Sequence, residues 1–375
     1  MRRSFDIFCK VIDNYGDIGV CWRLARQLAA RADSGRIRLL VDDLASFARI
    51  APAVAPDIAT QTIEGVLIQH WDQALHSPEH AVAAVVIEAF ACSPPAAYVE
   101  RMTQRQVWIN LEYLSAESWI ESCHGLPSLQ ANGLRKFFFF PGFTAGTGGL
   151  LRETGLLTRR DMWQADPRNR LELLARLRID AAWQERLRAG ARLVYVYCYP
   201  QAPLPALMEA LGASGRDTLV LLPEGIWPGE TPASITTARS RVEARAHPFV
   251  DQDVFDTLLW SSDLNVVRGE DSLVRAIWAG RPMMWQPYPQ QDAAHLDKLR
   301  AWLAQSPFPP GIHDAMLAWN HGDMQATASL LPALLLDPEL KKWGHRTRAW
   351  CSMLARQNDL AGNLVNFCAE HGQTS

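Results

Sequence analysis

At 375 residues the chain exceeds the roughly 250 to 300 residues over which a single hydrophobic core grows, so two domains are expected. Its 48% apolar and 21% charged residues, with 23 glycines and 23 prolines scattered along the chain, exclude a disordered or fibrous protein. A net charge of −3 excludes the broad basic face of a nucleic-acid-binding protein, and the longest clean apolar run, Ala81 to Ile87, falls far short of the roughly 20 residues of a membrane span. No N-terminal segment fits a signal peptide, so a cytoplasmic protein is expected. The seven cysteines are dispersed and form no C-x-x-C pair, which points to neither a disulfide framework nor a zinc site.

An apolar run from Phe5 to Ile12 leads into the polar turn Asp13-Asn14-Tyr15-Gly16-Asp17-Ile18-Gly19. Val20, Cys21, Leu24, Ala25, Leu28 and Ala29 then recur at helical spacing. This reads as strand, turn and helix. In open α/β sheets ligands bind outside the carboxyl ends of the strands, where a helix N-terminus offers free N–H groups. Asp17 is therefore a candidate catalytic base, although an aspartate here equally serves as a helix N-cap. Asp13 closes a strand as readily through an Asx turn. Gly16-x-x-Gly19 lacks the G-x-G-x-x-G spacing of a dinucleotide fingerprint, which argues against a nicotinamide cofactor.

Further strands are expected at Arg36 to Val41, Ala81 to Ala89, Gln106 to Leu111 and Lys136 to Phe140, separated by helical spacers. That alternation describes a parallel sheet covered on both faces. Between Arg152 and Arg192 ten arginines are interleaved with acids, and Leu171, Leu174 and Leu177 mark a helix. The domain connection is placed here, with the arginines on a solvated helix face. A second series follows, with strands at Leu193 to Cys198, Thr218 to Leu222, Val242 to Ala246, Leu264 to Val267 and Met283 to Gln286. Helices are expected at Asp292 to Leu303, Met324 to Leu336, Glu339 to Leu354 and Leu360 to His371. Two similar βαβ halves imply two doubly wound domains facing each other across a cleft.

The counterpart of the first turn is Val266-Val267-Arg268-Gly269-Glu270-Asp271-Ser272. Here too a strand ends at a glycine and a helix starts. Asp271 and Ser272 stand where free N–H groups can grip a diphosphate, and Arg268 supplies a cation. Capping accounts for Asp271 taken singly, but Arg, Glu, Asp and Ser within five residues exceed what capping requires. Glu270 repels an anion, so it is expected to bind sugar or ribose hydroxyls or to orient Arg268. Phe249 could stack on a base and Gln252 hydrogen-bond its edge, whereas Tyr197 and Tyr199 end the first strand of the second half and could reach phosphate or simply pack. His76 and His80 have the spacing of a metal pair, but Pro78 lies between them; Asp42-Asp43 lacks the D-x-D spacing of metal-dependent sugar transferases.

Four stretches in matching order resemble the EarP family, bacterial protein-arginine rhamnosyltransferases that modify elongation factor P. They are Ile12 to Gly19, Asn110-Leu111-Glu112-Tyr113-Leu114-Ser115-Ala116-Glu117, Arg268 to Ser272, and His295-Leu296-Asp297-Lys298-Leu299. The resemblance implies an α/β protein of the GT-B glycosyltransferase fold, with two Rossmann-like domains. The acceptor-side domain is expected at 1–184, completed by a C-terminal helix at 355–375, and the nucleotide-sugar-binding domain at 185–354. It further implies inverting, metal-independent transfer of rhamnose from dTDP-β-L-rhamnose to an arginine of elongation factor P, without a cofactor.

Under this resemblance Asp17 corresponds to the general base and Asp13 to the acid assisting it. Arg268, Gly269, Glu270, Asp271 and Ser272 form the cluster around the diphosphate and sugar, with Glu270 also counted as catalytic. Asn14, Tyr15 and Gly16 complete the donor contacts, Phe249 and Gln252 the thymine pocket, and Tyr199, or Tyr197 in its place, the diphosphate contact. Glu112 and Glu117 could hold the acceptor arginine or serve the fold. The alternatives are another GT-B nucleotide-sugar enzyme, such as an epimerase or a glycan glycosyltransferase, and a non-catalytic nucleotide-sugar-binding protein. An acid at Asp17 argues against the last, because binding an anionic donor gains nothing from it.

Overall fold

The computed structural model describes residues 2–12, 15–72, 81–225 and 241–372, so Asp13, Asn14, His76 and His80 lie outside the described residues. The chain divides into two compact units, Met1–Thr154 with Ala355–Ser375, and Gly155–Leu354. No helix among the described residues is long and apolar enough to cross a membrane.

The first unit is built on an eight-stranded sheet whose strands are β1 (Arg3–Cys9), β2 (Ser34–Val41), β3 (Thr60–Ile63), β4 (Val66–His70), β5 (Val85–Ala89), β6 (Val107–Leu111), β7 (Pro127–Leu129) and β8 (Arg135–Phe139). The strand order is β3-β4-β2-β1-β5-β6-β8-β7. All pairs are parallel except β3 with β4 and β7 with β8 at the two edges. β5 and β6 are buried at every position, as expected where helices cover both faces. The helix Gly16–Ala29 follows β1, and its Ile18, Cys21, Leu24, Ala25 and Leu28 are fully enclosed.

A charged pair lies within this core. Asp6 of β1 accepts from Arg38 Nε of β2 at 2.9 Å, from the Ala83 amide at 3.1 Å and from the Tyr98 hydroxyl. Asp6 is 0% and Arg38 1% exposed. Burial and the adjacent Asp6 carboxylate push the Tyr98 hydroxyl far above its ordinary range, so it stays protonated and donates.

The second unit holds a five-stranded, wholly parallel sheet of β9 (Arg192–Val196), β10 (Thr218–Pro223), β11 (Val242–His247), β12 (Leu264–Arg268) and β13 (Met283–Gln286). Its order is β11-β10-β9-β12-β13. In each unit the chain starts in the middle of the sheet, builds outward on one side and then crosses to the other. The order reverses between β1 and β5 in the first unit and between β9 and β12 in the second, and these reversals are the topological switch points at which doubly wound folds bind ligands.

The passage between the units falls at Thr154, not near residue 184. The helices Leu156–Ala165, Pro167–Arg176 and Ala181–Arg188 all belong to the second unit. Arg160 is 4% exposed and donates to the Trp278 carbonyl at 2.7 Å, while the Trp163 indole donates to Ser261 at 2.9 Å. This arginine at least belongs to the core of the unit, not to a solvated face. At the far end, the helix Leu360–His371 packs in the first unit, with Phe367 set edge-on against Phe137 and Phe139 at centroid distances of 5.4 and 5.6 Å. The hairpin β3–β4, the short β7 and the helix Pro310–Asn320 were not expected from the sequence.

Candidate functional site

Each unit carries a candidate site at the carboxyl end of its sheet, next to the switch point. In the first unit the turn after β1 places Asp17 inside the opening turn of the helix Gly16–Ala29, where the cap position itself belongs to Tyr15. Asp17 is therefore not the N-cap. Its Oδ2 accepts the backbone N–H of Ile12 at 3.0 Å and its Oδ1 accepts the Tyr113 hydroxyl at 3.4 Å. The carboxylate reaches back across the turn, and the residue is 2% exposed. Tyr15 and Gly16 are half-buried beside it.

Tyr113 follows β6 and stacks on Phe90 at a centroid distance of 4.4 Å, with the rings 17° apart. Phe90 leaves the end of β5 at a φ of 57°, and its amide donates to the Leu111 carbonyl at 2.7 Å. The two residues thus join the ends of β5 and β6 above the first switch point. Tyr113 belongs to the stretch Asn110 to Glu117, and its signal in the sequence is an aromatic just after a buried strand at the ligand-binding edge.

Glu112 points to a different set of partners. Its Oε1 accepts from Asn110 at 2.5 Å. Burial, reinforced by the Glu88 carboxylate, pushes its carboxyl above the ordinary range, with Lys136 and Asn110 opposing. Glu117 accepts the Ser115 hydroxyl at 3.0 Å.

In the second unit the ends of β9 and β12 meet. The Arg268 guanidinium lies 4.3 Å from the Tyr197 ring centroid and 4.6 Å from that of Tyr199. It donates to the Cys198 carbonyl at 3.2 Å and to the Tyr197 hydroxyl at 3.3 Å. Both tyrosine rings therefore face the same cation. The Tyr199 amide donates to Gln286 Oε1 at 2.8 Å and the Gly269 amide to the Gln286 carbonyl at 3.0 Å, so one residue of β13 ties both turns together.

Gly269 is the cap of the helix Glu270–Ala279, which leaves Asp271 in the first turn and not at the cap. Ser272 is buried beneath it. Glu270 is held by Lys298, which lies in the motif His295 to Leu299. Asp251 caps the helix Gln252–Ser261 by accepting the Val254 amide at 2.8 Å. This puts Gln252 in the first helical position, buried, with Phe249 half-buried just before.

Gly269 has φ 67° and ψ −175°, a region that only glycine occupies without strain. Gly269→Ala is expected to lose about 1–3 kcal/mol in urea unfolding of the full chain. An unchanged unfolding midpoint would show that the turn relaxes freely. Among the described residues no group of three or more His, Cys, Asp or Glu side chains is placed to hold a metal ion.

The family model described as elongation factor P (EF-P) rhamnosyltransferase EarP matches residues 5–369. A protein-arginine rhamnosyltransferase of Pseudomonas putida is 46% identical over 387 residues, covering 98% of this chain and 99% of that one. The structure solved for EarP-mediated arginine glycosylation of translation elongation factor EF-P matches with a TM-score of 0.64 at 33% identity, over 98% of this chain and 99% of that one. A UDP-glucosyltransferase from Polygonum tinctorium matches with a TM-score of 0.56 at 10% identity, over 100% and 99% of the two chains, and that likeness is one of fold.

Proposed function

The chain belongs to the EarP family of protein-arginine rhamnosyltransferases, enzymes of the GT-B fold, and we propose that it moves rhamnose from dTDP-β-L-rhamnose to an arginine of elongation factor P in the cytoplasm. The transfer inverts the anomeric carbon in one step and requires no metal. The observation that carries this reading is Asp17, a buried carboxylate anchored by the Ile12 amide at the carboxyl end of a central strand.

A guanidinium is protonated at any cellular pH and its lone pairs are delocalised, so it attacks poorly until a carboxylate accepts one of its protons. Asp17 takes that proton, with Asp13 assisting. A bond forms between the guanidinium nitrogen and the anomeric carbon as the bond from that carbon to the diphosphate oxygen breaks, and dTDP departs. The departing charge falls to Arg268 and to the backbone N–H groups that begin the helix Glu270–Ala279. Tyr199 and Ser272 contact the diphosphate, Phe249 and Gln252 the thymine, and Glu270, positioned by Lys298, the sugar hydroxyls. Asn14, Tyr15, Gly16, Gly269 and Asp271 complete the donor contacts.

The test is the intact mass of elongation factor P after incubation with enzyme and dTDP-rhamnose. One deoxyhexose on a single arginine is expected; an unmodified acceptor, or donor consumption without it, would sink the reading. Arg268→Ala is expected to weaken donor binding about ten- to a hundredfold, since it removes a charged hydrogen-bond donor from the diphosphate. Unchanged titration together with unchanged turnover would remove Arg268 from the donor site.

A further inference from the structure

The second unit contains a cavity of about 380 Å³ at the end of its sheet remote from Arg268. Arg192 is the first residue of β9, Asp263 directly precedes β12 and Pro282 directly precedes β13. These mark the amino ends of the strands, whereas Arg268 stands at the carboxyl end of β12, four residues beyond Leu264 and about 13 Å away along the strand. The exposed face of the helix Asp337–Leu354 forms another wall through Lys341, His345 and Arg348.

The charge here is one-sided. Arg192, Arg216, Arg281, Lys341 and Arg348 line the cavity against only two carboxylates, Asp263 and Asp337. Both carboxylates are already engaged. Asp337 accepts from Arg192 at 3.0 Å and from Arg216 at 2.7 Å. Asp263 accepts from Arg170 at 2.9 Å and from the Leu193 amide at 2.8 Å.

Arg348 is paired as well, with Asp161 outside the lining at 3.2 Å, and two cations remain. Arg281 donates through Nε to the Trp260 carbonyl at 3.3 Å, while its two terminal nitrogens, like the Lys341 ammonium, make no hydrogen bond to any described residue. Arg192, paired with Asp337 and donating to the Leu335 carbonyl at 2.8 Å, is 1% exposed and keeps a buried Nε with no hydrogen-bond partner among the described residues. Burial pushes the Arg281 guanidinium down from its ordinary value; Asp263 opposes this, and the neighbouring Arg348, Arg170 and Arg160 reinforce it. A fold gains nothing by gathering like charges around an open cavity, and desolvated donors without acceptors are costly.

We infer that this cavity binds a small oligophosphate, a ligand with at least two linked phosphoryl groups. The size of the cavity suits such a ligand. The two cations left over rise from separate elements, Arg281 from the approach to β13 and Lys341 from one helix face, which favours a ligand that spans both over a single-centre anion. Guanidinium forks match pairs of phosphate oxygens, and a chain of phosphates can engage Arg281 and Lys341 together. The site is independent of the sugar-donor reading, because none of its residues belongs to the donor cluster.

The experiment is calorimetric titration of the full-length chain with inorganic tripolyphosphate at about 0.15 M ionic strength, where loose surface binding is screened. It is run in an Arg268→Ala background so that the donor site contributes little. One tripolyphosphate per chain is expected, with orthophosphate binding about tenfold or more weakly. Lys341→Glu and Arg281→Gln, each added to that background, are expected to weaken tripolyphosphate binding about tenfold or more. Lys341 is exposed on a helix surface, so its variant decides the matter even if Arg281→Gln lowers the melting temperature. Absence of binding in the Arg268→Ala chain, an unchanged Kd in Lys341→Glu, or orthophosphate binding as tightly as tripolyphosphate would each overturn the assignment.

Discussion

Asp17→Asn is expected to lower the rate of rhamnose transfer to elongation factor P by about 100- to 10,000-fold, the range for loss of a positioned general base. The substitution preserves shape, and an amide oxygen can still accept the Ile12 N–H that now holds Oδ2 at 3.0 Å. The turn should therefore survive, and binding of dTDP-rhamnose measured by titration should stay close to that of the unsubstituted chain. What disappears is the capacity to take a proton. An arginine nucleophile makes this loss severe, because its conjugate acid is too weak to surrender a proton to water at neutral pH. Initial rates within about tenfold of the parent, with donor binding intact, would remove Asp17 from the base role.

The largest expected effect on stability is at Arg38. Its guanidinium meets Asp6 between the paired central strands β1 and β2, where neither side chain is more than 1% exposed. Arg38→Ala leaves a buried carboxylate with the Tyr98 hydroxyl and the Ala83 amide, and with Arg36 only at 3.9 Å. Removing one member of a buried ion pair costs about 3–5 kcal/mol, to be read from urea unfolding of the full chain. Replacing both partners, as Asp6→Leu with Arg38→Met, should be the milder change, because no charge is then stranded. A loss below about 1 kcal/mol in Arg38→Ala would mean that water or Arg36 reaches Asp6. The pair matters to the site because β1 delivers the turn that carries Asp17.

The two ligand-edge turns were legible because their signals are local. An apolar run, a glycine and helical spacing occur within a few residues around both Asp17 and Arg268. The hairpin β3–β4 carried no such signal: Thr60–Ile63 is short, polar and alternately exposed at a sheet edge. The helix Pro310–Asn320 was hidden by Pro309-Pro310-Gly311, which reads as a breaker although proline is well suited to the first helical turn. The boundary near residue 154 was missed for a non-local reason, since Arg160 is buried by a carbonyl of Trp278, 118 positions further along the chain.

The sequence by itself determined the βα alternation, both strand–turn–helix segments and the family, because these rest on neighbouring residues and on motifs read in order. Only the tertiary structure decided that Asp17 and Asp271 sit inside first turns instead of capping them, and that Tyr113 and Lys298 hold Asp17 and Glu270. It also assigned one arginine to two tyrosines and gathered the cations of the remote cavity from separate elements. Caps, ion pairs and pockets of this kind depend on backbone atoms and side chains brought together from distant parts of the chain, and no local pattern encodes that approach.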